Sequence, residues 1–233
     1  MSTISSTAAS PDSIECLLLD LDGTLADTAP DLSGALNRLL RQYGKAPLPV
    51  STLRPWISRG AVYMISRAFS VPTDYRAMES MRLQFLEYYR EDIASETKLY
   101  GGIGQVLDYC EMKNIPWGIV TNKSMDLARL LIEKLGLDRR CACLVGVGLL
   151  KHRKPHPEPL LFACRSIDVS ARRSVYVGDA STDVIAAKRA GMISVVANYG
   201  YLTPEEDTAE WGADHYIEQP AALISLINGT DAG

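Results

Sequence analysis

From about residue 103 onward, short β-rich apolar runs alternate with stretches of helical periodicity. That alternation restricts the chain to a parallel sheet covered on both faces by helical crossovers. The run 116–121 reads as a strand. Ser124 then caps a helix with Leu127, Leu130, Leu131 and Leu135 on one face, and Gly136 ends it. A second strand is expected over 142–147, and Pro157 opens a helix carrying Leu160, Leu161, Cys164 and Ile167. Strands at 174–177 and 193–197 flank a helix over 183–190, closed by Gly191. Near the start, Cys16-Leu17-Leu18-Leu19 is a further short buried strand.

The segment between Thr28 and Lys98 breaks this rhythm. Thr28 caps a helix with Pro30 in its first turn, Asp31 near the N-terminal dipole and a stripe of Leu32, Ala35, Leu36, Leu39 and Leu40 that stops at Gly44. Ala61, Met64, Ile65 and Ala68 form a second stripe, and Met78, Met81, Phe85, Leu86 and Tyr89 a third. An all-helical insert after the first strand is the reading. The Met and aromatic positions have helical spacing and count as core before they count as ligand contacts. At 233 residues, 47% hydrophobic and 22% charged, the chain suits one large soluble domain or a domain with a small insert.

A net charge of -4 gives no reason to expect a nucleic-acid partner, and no apolar stretch reaches the length of a membrane span. Residues 1–13 are rich in Ser and Thr and lack the pattern of a signal peptide, so a disordered tail on a cytoplasmic protein is expected. Cys141-Ala142-Cys143 has no second ligand pair at metal spacing, and the five cysteines read as buried thiols.

Chemistry concentrates where strands end. Asp20-Leu21-Asp22-Gly23-Thr24 follows the first strand, which places two carboxylates at the edge where open parallel sheets hold their ligands. Desolvating both is costly unless a cation or a shared proton compensates. Thr121 closes another strand and precedes Asn122-Lys123 and a helix start; it suits a phosphate oxygen or an ordinary helix cap. Lys154 lies in the proline-fixed loop Arg153-Lys154-Pro155-His156-Pro157, where it is a rigidly presented ammonium or part of a solvated basic loop. Asp179 ends a buried strand just as Asp20 does, and Asp183 follows at a helix start, where the helix dipole alone would also account for it. Clustered carboxylates without a Cys or His pattern suit a hard cation, Mg²⁺ first, which would offset the repulsion among Asp20, Asp179 and Asp183 and favour an anionic substrate.

These four motifs, in this order, resemble those of the haloacid dehalogenase superfamily in its phosphatase branch, across nearly the whole chain beyond the tail. The resemblance implies a Rossmann-like, doubly wound α/β core over 14–28 and 99–233 with an inserted helical cap over 29–98. It also implies roles. Asp20 is the nucleophile that forms an aspartyl-phosphate, and Asp22 is the general acid and then base, keeping only its backbone carbonyl on the metal. Thr121, Asn122 and Lys154 hold the phosphoryl group, while Asp20, Asp22, Asp179 and Asp183 form the metal set. Cap hinges are expected near residues 26–28 and 99–102. An acidic Asp22 argues against the dehalogenases, and the absence of Lys there argues against the ion pumps.

Within that family, the stretch 19–32, Thr121-Asn122-Lys123 and Asn198-Tyr199-Gly200-Tyr201 resemble the phosphoglycolate phosphatase branch. Ser58-Arg59-Gly60-Ala61, 82–89, 115–118 and Trp211-Gly212-Ala213-Asp214 resemble a bacterial branch acting on N-acetylmuramic acid 6-phosphate. Both substrates carry a carboxylate, and Arg59 is either its contact or a solvated Arg at a helix start. His156 reads as a loop residue more than a cleft residue. The expected partner is a small phosphate ester, and the expected assembly a monomer or homodimer. Two other readings share the aspartyl-phosphate: a sugar-phosphate mutase, and a non-catalytic switch that would need neither cap nor acid.

Overall fold

Every residue of strand β1 (Cys16–Leu19) is sealed from solvent. Successive side chains of a strand point to opposite faces. Leu17 and Leu19 therefore enter one hydrophobic core and Cys16 and Leu18 a second, one on each side of the sheet. A strand covered on both faces has no polar alternation, which is why this one is continuously apolar.

The computed structural model describes residues 14–73, 76, 78–203 and 205–229, so the expected N-terminal tail lies outside the described residues. After β1 come strand β2 (Ala26–Asp27) and helices α1 (Ala29–Gln42), α2 (Val50–Leu53), α3 (Ala61–Phe69) and α4 (Glu79–Glu91), with a 3-10 stretch at Arg54–Arg59. Strand β3 (Lys98–Leu99) then leads into α5 (Ile103–Met112), β4 (Trp117–Ser124), α6 (Met125–Lys134), β5 (Cys143–Val147) and α7 (Glu158–Ser166). Strand β6 (Ser174–Gly178), α8 (Ser181–Ala190), β7 (Ile193–Ala197), β8 (His215–Ile217) and α9 (Ala222–Ile227) complete the order. Six parallel strands form one sheet in the order β5-β4-β1-β6-β7-β8. This is the Rossmann-like α/β fold expected. Strand order reverses beside β1, which makes its carboxyl end a topological switch point.

Helices α1, α3 and α4 pack on one another through the expected stripes, with Leu36, Leu39, Ile65, Phe85 and Tyr89 among the fully buried residues. Two features escape the periodicity. β8 has three residues, of which His215 and Tyr216 carry polar groups, too short for an alternation to register. β2 and β3 form an antiparallel two-stranded ribbon, pairing Ala26 with Leu99 and Asp27 with Lys98. Such a pairing across the helical segment leaves no mark in either dipeptide.

The helix starts need correction. Thr28 occupies the position before α1, yet its hydroxyl does not cap the helix. The phenol oxygen of Tyr201 accepts from the backbone N–H groups of Thr28 (2.6 Å) and Ala29 (2.9 Å) instead, which leaves the Thr28 hydroxyl for another partner. Ser124 likewise precedes α6 without capping it through its side chain. All five cysteines are free thiols, but only Cys16, Cys110 and Cys164 are buried as expected; Cys141 and Cys143 are half-buried, and the Cys141 thiol donates to the Cys143 carbonyl at 2.8 Å.

Candidate active site

Register brings the motifs together. Leu19 of β1 pairs with Ile119 of β4 on one side and Val177 of β6 on the other. Asp20 is therefore level with Val120 and Gly178, and Thr121 and Asp179 stand one residue further along the same edge. Oxygens of Asp20, Asp179 and Asp183 lie within 4.8 Å of one another.

The Lys154 ammonium is 2% exposed and sits among them. It contacts Asp20 Oδ1 at 2.9 Å and Asp183 Oδ1 at 2.7 Å, and donates to the Tyr176 hydroxyl (2.7 Å) and the Val120 carbonyl (3.1 Å). Burial alone would depress its pKa, but Asp183 and Asp20 outweigh that and hold it raised. The carboxylates feel the opposite balance. Burial lifts Asp20 to about 6 although Lys154 pulls it down, and burial with the Asp20 and Asp183 charges lifts Asp179 to about 8. Asp179 is held by Thr24 Oγ1 (3.1 Å), the Tyr201 backbone N–H (2.8 Å) and Ser58 Oγ (3.3 Å).

Three converging carboxylates against one ammonium leave surplus negative charge in a buried site. The donor set is all oxygen, which fits a hard divalent cation. Glycine lets the backbone approach it: a Cβ on Gly23, whose φ is +83°, would lie 2.1 Å from Asp179 Oδ2, and one on Gly178 would lie 2.3 Å from the Asp183 carboxyl carbon. Asp183 also accepts from the Ala180 N–H at 3.0 Å, at the start of α8.

Asp22 faces elsewhere. Its side chain is outside the three-carboxylate group, and it accepts from Thr28 Oγ1 at 2.6 Å and from Lys123 Nζ at 2.7 and 2.9 Å. This is the partner for which the Thr28 hydroxyl is free. Lys123 Nζ lies 4.6 Å from the centre of the Tyr89 ring of α4. Burial works against the Lys123 charge, but Asp22 outweighs it and moves the pKa up. Neither Lys123 nor Tyr201 stands out in the sequence as a site residue. Each is recognisable only from what the fold sets opposite it, although both fall in stretches that carry the family resemblance.

A cavity of about 400 Å³ opens over this edge. Asp20, Asp22, Thr121, Asn122, Lys123 and Lys154 line it from the sheet side, and Ser58, Arg59, Gly60, Phe85, Leu86 and Tyr89 from the helical side. Residues 58–60, at the end of the 3-10 stretch, thus face the site. Thr121 is buried and its Oγ1 accepts from the Lys123 N–H at 3.2 Å, while exposed Asn122 donates to the Lys154 carbonyl at 3.1 Å. Asp179 and Asp183 are buried and are not among the lining residues. His156 is not among the lining residues; its ring stacks on His152, with centroids 4.0 Å apart.

A family profile described as haloacid dehalogenase-like hydrolase matches residues 17–197. A phosphoglycolate phosphatase of Xylella fastidiosa (strain 9a5c) is 44% identical over 89% of this chain and 90% of its own length. An N-acetylmuramic acid 6-phosphate phosphatase of Pseudomonas putida is 35% identical over 94% of this chain and 99% of its own. A crystal structure from Haemophilus somnus, described as a predicted phosphoglycolate phosphatase, superposes with a TM-score of 0.80 at 24% identity over 91% of this chain and 97% of that one. That last likeness concerns the fold.

Proposed function

Since the chain belongs to the haloacid dehalogenase-like hydrolase family and its class is that of the phosphoric monoester hydrolases, we propose that it hydrolyses a small carboxylate-bearing phosphate ester through an aspartyl-phosphate on Asp20, with Mg²⁺. The convergence of Asp20, Asp179, Asp183 and Lys154 at one sheet edge carries this reading. In it, a carboxylate oxygen of Asp20 attacks phosphorus and the bond to the ester oxygen breaks. Asp22, oriented by Thr28, enters this step as the carboxylic acid, no longer ion-paired with Lys123, and gives its proton to the departing alkoxide. Water then attacks the acyl phosphate and gives a proton to Asp22, releasing inorganic phosphate and restoring Asp20. Thr121, Asn122 and Lys154 hold the phosphoryl oxygens, and Lys154 also steadies Asp20. Asp20, Asp179, Asp183 and the Asp22 backbone carbonyl would hold Mg²⁺, which supplies charge neutralisation for the attacking carboxylate and the phosphoryl group.

The segment 29–98 acts in this reading as a lid whose stem is the β2–β3 ribbon, in the cytoplasm, with Arg59 on its inner face. The candidate substrates are phosphoglycolate and N-acetylmuramic acid 6-phosphate, the latter belonging to peptidoglycan recycling. Purified protein with Mg²⁺ should release inorganic phosphate from at least one of them, and Asp20→Asn should not. A product that retains its phosphate, or undiminished turnover by Asp20→Asn, defeats the proposal.

A further inference from the structure

Five cationic residues line the cavity: Arg59, Arg82, Lys123, Arg153 and Lys154. Three already have carboxylate partners. Lys154 is matched by Asp20 and Asp183, Lys123 by Asp22, and Arg82 by Glu79 through two contacts of 2.8 Å. Arg59 touches only Tyr63, through its hydroxyl at 3.1 Å and the face of its ring. The Arg153 side chain makes no hydrogen bond or ion pair among the described residues, and it is exposed. These two unmatched arginines stand on opposite walls. Arg59 ends the 3-10 stretch of the helical segment, whereas Arg153 immediately precedes Lys154 in the loop of the sheet domain. The carboxylates that line the cavity, Asp20 and Asp22, are both taken.

An open cleft with two unpaired guanidinium groups at its walls favours a ligand that brings its own second anion, and the planar fork of Arg suits a carboxylate. We propose that Arg153, acting with Arg59, is a specificity-determining residue that binds the substrate carboxylate, so that the phosphoryl group lies at Lys154 and the carboxylate bridges loop and lid. This rests on the phosphatase reading above and assigns the half of the substrate that does not react. Paired esters carry the test: phosphoglycolate against ethylene glycol monophosphate, which replaces the carboxylate by a hydroxymethyl group, and N-acetylmuramic acid 6-phosphate against N-acetylglucosamine 6-phosphate, which removes it together with its lactyl arm.

The reading is kcat/KM with Mg²⁺ for each ester, in the wild type and in Arg153→Met, Arg153→Lys and Arg153→Glu. The wild type should favour the carboxylate member of at least one pair. Arg153→Met should lower that preference by roughly ten- to hundredfold, the worth of a charge-assisted hydrogen bond. Arg153→Lys should restore part of it, and Arg153→Glu should invert it. Arg153 is exposed, and equal melting temperatures across the series would exclude misfolding as the cause. If the wild type releases phosphate but has no preference in either pair, or if Arg153→Met keeps the preference, the assignment of Arg153 is wrong while the phosphatase reading stands. If the wild type releases phosphate from none of the four, the phosphatase reading itself falls, and this inference with it.

Discussion

Replacing Tyr201 by Phe removes a single oxygen and leaves the ring where it is. Tyr201 is 2% exposed, and its phenol oxygen accepts from the N–H groups of Thr28 and Ala29 at 2.6 and 2.9 Å and donates to Asp27 at 2.9 Å. Because the ring stays, no cavity contribution arises beyond one oxygen. Asp27 keeps its ion pair with Arg54 at 2.8 Å, so little is lost on that side. The Ala29 N–H keeps Asp27 Oδ1 at 3.2 Å, so the cost falls on the Thr28 N–H at the buried start of α1, and a stranded buried donor costs about 1–3 kcal/mol. A loss of about 2 kcal/mol follows for that donor, since the Thr28 hydroxyl is held by Asp22 at 2.6 Å. In a domain of this size that corresponds to a fall of about 4–8 °C in melting temperature. Tyr199→Phe is the internal control, because the Tyr199 hydroxyl makes one bond, to the Thr24 carbonyl at 3.1 Å. It should cost about 1 kcal/mol. Urea unfolding followed by circular dichroism measures both. A Tyr201→Phe protein within about 0.5 kcal/mol of wild type would refute the claim that this phenol caps α1.

Two further outcomes follow from the site. Asp22→Asn should keep Mg²⁺ binding, because its side chain lies outside the three-carboxylate group, yet lose about 10²–10⁴-fold in kcat on an alkyl phosphate; calorimetric titration with Mg²⁺ beside steady-state kinetics tests the pair of claims. The Asp179 carboxyl is lifted from 3.8 to about 8 in the metal-free fold, so the folded state keeps a proton that the unfolded chain sheds above about pH 4. Its stabilising contribution is full below pH 3.8 and is lost as the pH rises through about 8. The rise in melting temperature on adding Mg²⁺ over EDTA should therefore be larger at pH 8.5 than at pH 5, and Asp179→Asn should flatten the difference. A gain that shrinks with rising pH contradicts this reading.

The sheet was legible in the chain wherever burial was two-sided. Cys16–Leu19 and Ile193–Ala197 match their expected bounds because strands covered on both faces are apolar almost throughout; the polar exception, Ser194, is buried and donates its hydroxyl to Asp214 Oδ2 at 2.6 Å. The helical stripes of α1, α3 and α4 were legible for a different reason, since each buries one face on its neighbours and so carries a helical period. β8 and the β2–β3 ribbon were not, because two or three residues leave no period to read and their pairing spans about 20 and 70 residues of chain. The Thr28 and Ser124 caps were read from residue type, which reports that a hydroxyl can cap but not whether another partner claims it.

The sequence by itself determined which candidate residues gather at one edge, because Asp20, Thr121, Lys154 and Asp179 are short-range signals: each follows directly on an apolar run or sits in a proline-fixed loop, and strand ends of a parallel sheet share one edge. Tertiary structure alone decided the partners. Asp22 meets Lys123 across 101 residues, Thr28 meets Tyr201 across 173, and Arg153 stands opposite Arg59 on a shared cavity. Such pairings depend on distances that close only when the whole chain packs. The residue types could announce a phosphate site, but which cations are spent inside the protein and which remain for a substrate is a property of the folded cavity.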